Sequence, residues 1–295
     1  MFLPNFQYLA PKDPAELAAM LAEHGAAARI LSGGTDLLVQ MKSPGMKPDY
    51  LIDINGIDEL SEIRFDDGAG LVIGSAAKLE AVMDTPVVKE KYYGLWQSIE
   101  TIGARQIRTM GSLGGNLCNA SPAADTPPPL VAFGAEVTIA GAKGERSMLL
   151  EDFILGNRQT ALDPGEYLKT ISLPAPAENS GSAYHHFRVR GGMEIALAAA
   201  AVYLVVDSGD RTIIDSRIVL GVVGPTPIRA TEAEQIVAGQ EPSEDLLRAA
   251  AEACAGQSKP IDDYRASAEY RKEILKVLFE RAFDEAYCQI AGQAE

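Results

Sequence analysis

Two glycine-rich segments constrain this chain more than any other feature: "ILSGGTDLLVQMK", Ile30 to Lys42, and "GSLGGNLCNASPAAD", Gly111 to Asp125. In the first, Ser-Gly-Gly-Thr-Asp separates an apolar run from a second apolar stretch with helical spacing. A double glycine at a strand-to-helix junction lets main-chain N–H groups approach a guest with no Cβ in the way. A phosphate at a helix N-terminus is the commonest such guest, although a tight turn has the same composition. Two such loops in one α/β unit suit a diphosphate held between them, by backbone N–H groups and small hydroxyls, better than either suits a turn alone. Ser112 and Asn116 flank the second glycine pair. Upstream, Arg105 and Arg108 are placed either to offset phosphate charge or to pair with surface carboxylates. GxxxxGK[ST] is absent and no strand leads into GxGxxG, so neither a P-loop nor a Rossmann dinucleotide site is supported.

Composition narrows what such a ligand site can belong to. With 47% apolar and 23% charged residues over 295 positions, the chain has the make-up of a folded soluble protein long enough for two domains. Its formal net charge of −15 repels nucleic acid and anionic membrane surfaces, and no basic stripe offsets it. Any anionic ligand must therefore be held locally. The longest apolar run, the twelve residues Ile195 to Val206, is too short to cross a bilayer. Cys118, Cys254 and Cys288 are widely spaced and odd in number, with no CxxC, so the chain is expected to hold no disulfide framework, iron-sulfur cluster or zinc. "MFLPNFQYLAPKDP" lacks the basic and apolar regions of a secretory signal, and a cytoplasmic location is expected.

Patterning along the chain divides it. "APKDPAELAAMLAEHG" carries a full helix signature, with Asp13 as N-cap, Pro14 at the first position, Glu16 three after the cap and Gly25 as stop. "AAARIL" and "MKPDYLIDI" read as strands, so residues 1 to about 55 form a small α/β unit. A different pattern starts at Val72 to Gly74, with helices expected at Leu79 to Met83 and Val87 to Thr101. "AEVTIA", "ERSML" and "EYLKTISLP" then read as strands. "NASPAADTPPP" reads as extended and too rich in proline for a helix, and its Asp125 is the carboxylate placed against a ligand hydroxyl. The Pro/Ser/Gly-rich "LPAPAENSGS", Leu173 to Ser182, marks a domain boundary. Beyond it lie strands at Tyr184 to Val189, Ala196 to Val206 and Ile213 to Gly221, then helices within Thr231 to Ala238, Asp245 to Cys254 and Ala268 to Ile290. Adjacent His185 and His186 leave opposite faces of a strand and do not converge on one metal.

The two loops, together with "YHHFRVRGGMEIALAAAAV", resemble the flavoprotein, or medium, subunit of the molybdenum hydroxylases, the xanthine dehydrogenase and carbon monoxide dehydrogenase family, along essentially the whole chain. That resemblance implies an α+β protein. A vanillyl-alcohol-oxidase (PCMH)-type FAD-binding domain would span 1–177, in α/β subdomains of about 1–55 and 56–177. A C-terminal domain of a three-stranded antiparallel sheet and helical bundle would span 183–291. Residue by residue, it implies a first FAD-diphosphate loop of Arg29, Ile30, Leu31, Ser32, Gly33, Gly34, Thr35 and Asp36, and a second of Ser112, Leu113, Gly114, Gly115 and Asn116. Ile102 and Leu168 match apolar contacts to the flavin, and Asp125 matches a carboxylate hydrogen-bonded to the FAD. Tyr184 opens a segment near the flavin in which Arg190 and Glu194 keep the family's Arg and acidic positions. His186 stands where the family usually has Lys or Arg, which puts in doubt a fixed positive charge at neutral pH. Cys118 sits where a branch similar to 4-hydroxybenzoyl-CoA reductase begins a cysteine-rich insertion for an extra cluster; the insertion is missing, and Cys118 reads as a packed residue.

By the same resemblance the chain is an oxidoreductase subunit that binds FAD noncovalently, takes electrons from [2Fe-2S] clusters of a small partner subunit and passes them to an external acceptor. The molybdenum cofactor belongs to a large partner subunit, and the assembly is expected to be a dimer of heterotrimers. A missing catalytic dyad fits this division of labour, because the cofactor carries the redox chemistry. The alternative is a free-standing flavin-dependent oxidoreductase of the same fold, for which Tyr184, His186 and Glu194 are the available acid or base candidates.

Overall fold

A computed structural model describes residues 2–291. It opens with β1 (Gln7–Leu9), α1 (Pro14–His24), β2 (Ala28–Leu31), α2 (Leu37–Met41) and β3 (Tyr50–Asp53), the strands forming a parallel sheet in the order β1-β3-β2. Helix α1 starts and stops where its sequence signature says. Asp13 Oδ1 accepts the Glu16 N–H at 2.9 Å, and Gly25 leaves the helix at φ +49°. The Glu16 carboxylate reaches back to the Lys12 N–H at 2.7 Å, one residue before the cap itself.

A second unit follows: β4 (Ile63–Asp66), β5 (Gly70–Gly74), α3 (Leu79–Asp84), α4 (Pro86–Lys91), α5 (Tyr93–Glu100), α6 (Arg105–Arg108), α7 (Leu113–Asn119), α8 (Pro127–Ala132), β6 (Glu136–Gly141), β7 (Gly144–Leu149), α9 (Leu150–Phe153), β8 (Ile154–Gly156), β9 (Gln159–Thr160) and β10 (Glu166–Leu173). Five of its strands form an antiparallel sheet, β4-β5-β10-β6-β7. The single helix expected over Val87 to Thr101 is two, broken at Tyr92. That residue is fully buried between Phe65 and Phe133, and its hydroxyl donates to Pro174 O at 3.0 Å.

The proline-rich stretch corrects the sequence reading. Pro127, Pro128 and Pro129 occupy the first turn of α8 and are buried there. In a first turn the missing N–H groups have no intrahelical partner to lose and no preceding carbonyl to strike, so proline is tolerated where an interior position would exclude it.

The third unit comprises β11 (Ser180–Phe187), β12 (Ala198–Val206), β13 (Ile213–Gly221), β14 (Ile228–Arg229), α10 (Thr231–Val237), α11 (Glu244–Gln257) and α12 (Ala268–Ala291). Its sheet has a fourth strand beyond the three expected, the two-residue β14 paired with Val219 and Leu220. Strand β12 is covered on both faces. Ala199, Ala201 and Tyr203 join the core of the second unit, whereas Ala198, Ala200, Val202 and Leu204 join the core beneath the helices. Burial on both sides removes the need for alternation, and small side chains let both layers approach. Among the described residues no helix is long and apolar enough to cross a membrane.

Helix α12 approaches β11 closely, since a Cβ added at Gly181 would stand 2.0 Å from Ala286 O. Gly181→Ala is expected to destabilise the fold by about 1–3 kcal/mol through overpacking, read as a lower urea midpoint with an unchanged m-value.

Candidate functional site

The two glycine loops meet. A Cβ at Gly33 would lie 2.2 Å from Met110 O and 2.6 Å from Gly111 Cα, and the Thr35 hydroxyl stands 3.5 Å from the corresponding position on Gly111. Bare backbone at Gly33 therefore serves loop-to-loop contact. Gly34 serves a different need, turning the chain into α2 at φ +69°. Among the described residues, no main-chain N–H from Gly33 to Asp36 donates a hydrogen bond within the chain, and the buried Ser32 hydroxyl has no partner. Four successive unpaired N–H groups form a donor row of the type that binds anions.

The second loop differs, and the expectation that its backbone donors are also free is corrected. Leu113 N donates to Ala77 O at 3.0 Å, Gly114 N to Ser75 O at 3.0 Å, Gly115 N to Ser112 Oγ at 3.1 Å and Asn116 N to Ser112 O at 3.0 Å. The N-terminus of α7 is consumed by its own cap and by the connection after β5. A Cβ at Gly114 would strike Ser75 O at 2.5 Å, so this glycine is required by protein packing, and neither Gly114 nor Gly115 has a positive φ. Gly115 is exposed, with Ser112 Oγ at 2.9 Å the one atom near its added Cβ. What the second loop offers a ligand is this open glycine and the side chain of Asn116, whose Oδ1 accepts from Thr126 Oγ1 at 2.7 Å.

Around the loops, polar links hold the two units together. Asn55 Nδ2 donates to Ser32 O at 2.9 Å, Lys78 Nζ donates to Asn55 Oδ1 at 2.6 Å, and Lys78 pairs with Ser112 in an isolated antiparallel bridge. Gln40 Nε2 on α2 donates to Asn119 Oδ1 on α7 at 3.0 Å. Arg105 and Arg108 are carboxylate partners, each placing Nε 2.8 Å from the nearly buried Glu80. The Arg29 guanidinium donates to Ala26 O and Ala28 O, so its contribution to the loop is main-chain. Ile30 packs partly against the first unit's core, and Leu31 is half-buried. Asp36 is exposed at the head of α2 and makes no side-chain cap.

A second cluster lies beyond Thr126. Tyr184 OH donates to Asp125 Oδ1 at 2.7 Å, Arg188 Nη2 stands 3.8 Å from Asp125 Oδ2, and the same Nη2 donates to Thr101 O, beside Ile102. Burial raises the Asp125 pKa, with Tyr184 and Arg188 acting in the opposite direction. The Tyr184 phenol is pushed well up, first by burial and then by Asp125. His186 packs tilted against Tyr184 at 5.8 Å, and burial, Arg188 and His185 push its imidazole down to about 4. His185 leaves the opposite face to meet Glu285 on α12 at 2.7 Å. Leu168 and Leu113 are core residues, and Ile102 is half-buried at the core's edge. Arg190 and Glu194 pair with each other at 3.2 Å. Cys118 packs against the core with its thiol pushed up to about 12 by burial, and no metal-binding cluster exists among the described residues.

Sequence reasoning missed Arg188, Lys78, Asn55 and Thr126. Arg188 alone had a readable signal, because the period of two from Tyr184 through His186 puts it on the same strand face.

The family model for the FAD binding domain in molybdopterin dehydrogenase matches residues 4–176, and that for the CO dehydrogenase flavoprotein C-terminal domain matches residues 182–286. The chain belongs to the molybdopterin dehydrogenase flavoprotein family. It is 32% identical over 291 residues to the carbon monoxide dehydrogenase medium chain of Hydrogenophaga pseudoflava, covering 99% of this chain and all of that one. The xanthine dehydrogenase FAD-binding subunit of Escherichia coli O157:H7 is 28% identical over 269 residues, 91% of each chain. Among solved structures, carbon monoxide dehydrogenase from Hydrogenophaga pseudoflava superposes with a TM-score of 0.92 at 33% identity, covering 98% of this chain and 99% of that one. Quinoline 2-oxidoreductase from Pseudomonas putida 86 gives 0.91 at 29% identity with the same coverage. These family members are dehydrogenase and oxidoreductase subunits, and this chain carries the family's FAD-binding domain.

The glycines of the second loop separate by experiment. Gly114→Ala should destabilise the ligand-free protein by about 1–3 kcal/mol through its clash with Ser75, whereas Gly115→Ala should change stability by less than about 1 kcal/mol as helix propensity offsets a displaced cap. Thermal unfolding of both variants without added flavin checks the difference. Nitrogen-15 NMR should find the His186 ring neutral throughout the neutral range, titrating near pH 4. Because its folded pKa lies below the unfolded value, His186 contributes stability that is complete above about pH 6.5 and is lost as pH falls toward 4.

Proposed function

We propose that this chain is the FAD-carrying electron-transfer subunit of a heteromeric molybdenum hydroxylase, taking electrons from [2Fe-2S] clusters on a small partner subunit and passing them to an external acceptor. The molybdenum cofactor resides on a large partner subunit, the whole is a dimer of heterotrimers, and it works in the cytoplasm. The carrying observation is the row of unpaired N–H groups from Gly33 to Asp36, set against a second glycine loop in a chain that otherwise repels anions. Full-length similarity to medium chains of carbon monoxide dehydrogenase supports the partner assignment.

On this reading the backbone of Arg29 to Asp36 holds the diphosphate. The segment Ser112 to Asn116 closes over it through exposed Gly115 and the Asn116 amide, with Leu113 and Gly114 seating the loop. Ile102, Leu168 and Tyr184 bound the flavin, Asp125 accepts a hydrogen bond from the FAD, and neutral His186 lines the site without charge. The FAD, bound noncovalently, supplies the exchange between paired and single electrons that the chain's own side chains lack.

The full chain made alone should release one equivalent of FAD on acid denaturation and contain neither iron nor molybdenum. Asp125→Ala should weaken FAD by roughly 1–3 kcal/mol. Native material should carry the chain in a complex with both metals. Flavin left on the precipitated protein, or a flavin-free preparation that takes up no added FAD, removes the cofactor assignment. Substrate-dependent flavin reduction by the lone chain transfers the assignment to a free-standing flavoenzyme.

A further inference from the structure

Two residues beyond His186, on the same strand face, the structure holds a buried cation. Arg188 has a side chain only 11% exposed and lies across from Asp125, which is 14% exposed. Its Nη2 is tied to Thr101 O, and its buried Nε has no acceptor. A guanidinium so placed has given up most of its water, and the facing carboxylate is the one negative group it meets there. Asp125 in turn is free to respond to it. The next helix, α8, begins with three prolines and so presents no first-turn N–H groups to compete for the carboxylate. One Asp125 oxygen accepts from Tyr184 OH, and the other faces Arg188.

The charged and titratable groups around Asp125 are few. From β11 and its continuation come Tyr184 and Arg188, with neutral His186 beside them. On helix α7, uncharged Asn116 accepts from Thr126, the residue after Asp125. Helix α8 carries no titratable residue, and Glu100, just before Thr101, is exposed. Burial drives the Asp125 carboxyl toward its neutral form; the Tyr184 hydrogen bond opposes this first, and the charge of Arg188 adds to it.

Resting on the FAD site proposed above, we infer that Arg188 is a positioning residue: its buried guanidinium, facing Asp125 Oδ2, holds that carboxylate as a hydrogen-bond acceptor for the FAD. Its role runs through Asp125, so its removal transfers a pH dependence to cofactor binding. Without the guanidinium the Asp125 pKa rises further, and the acceptor is lost as pH falls.

The test is the FAD dissociation constant of the full chain, from flavin fluorescence quenching between pH 6 and pH 8.5, with thermal unfolding of the flavin-free variants as a folding control. Wild type should bind with constant affinity across this range, and R188K should stay within about threefold of it. R188Q should bind at least tenfold more weakly at pH 6 and recover toward wild type at pH 8.5. D125N should be weak at every pH, and R188Q/D125N should match D125N within twofold. Carbon-13 NMR of the wild-type Asp125 carboxyl, which depends on no variant folding, should show it ionised down to pH 6. R188Q binding as wild type does, a pH-independent loss in R188Q, multiplied losses in the double variant, or a protonated Asp125 at pH 7 each overturn the role of Arg188 while leaving FAD binding intact. A wild-type chain that binds no FAD overturns the site itself.

Discussion

The meeting of the two glycine loops depends on one backbone contact, Gly33 against Met110 and Gly111. Any side chain at Gly33 would drive the loops apart. At that contact the Gly33 to Asp36 segment lies against Met110 and Gly111 of the second unit, and its N–H groups have no partners within the chain. Half-buried to exposed at the start of α2, these four adjacent donors are open to water or to a ligand. The net charge of −15 makes this local donor row the more telling, since Arg29, Arg105 and Arg108 are all engaged elsewhere.

The loops both pack against neighbouring backbone and differ in the donors they leave unpaired. The first keeps its donors free because its glycine conformations, not its hydrogen bonds, set its shape. The second spends its donors on Ser75, Ala77 and its own Ser112 cap, which fastens α7 to the connection after β5 and brings Asn116 to Thr126. From Thr126 the chain passes directly to Asp125 in one direction and to three buried prolines in the other. Loop, carboxylate and α8 are thus one continuous frame, and a run of aromatic contacts from Tyr92 through Phe133 to Tyr203 carries that frame into the C-terminal sheet.

Tyr184 shows why the C-terminal unit matters to a site built mostly by the others. Its main-chain N–H is held by Gln97 of α5 at 2.8 Å and its hydroxyl by Asp125, so the register of β11 against the second unit decides which strand face reaches the carboxylate. A slip of one residue would present His185 and Phe187 in place of Tyr184, His186 and Arg188.

The glycine pairs, the capping of α1 and the alternation of β11 were legible in the sequence because each follows from local geometry: a missing Cβ, a cap spacing, a period of two. Pairing across distance was not. Nothing in "GSLGGN" says that its N–H groups are spent on Ser75 and Ala77, because those acceptors lie in another element. Nothing in "TPPP" says helix, because burial of all three rings against the core overrides the local preference for extension. The charge of His186 and the role of Arg188 are set by desolvation and by neighbours from two units, quantities that exist only once the chain has closed around them. Residue types and spacing alone therefore settled which atoms are available for binding, and the tertiary structure decided which of those atoms remain free and which charges survive burial.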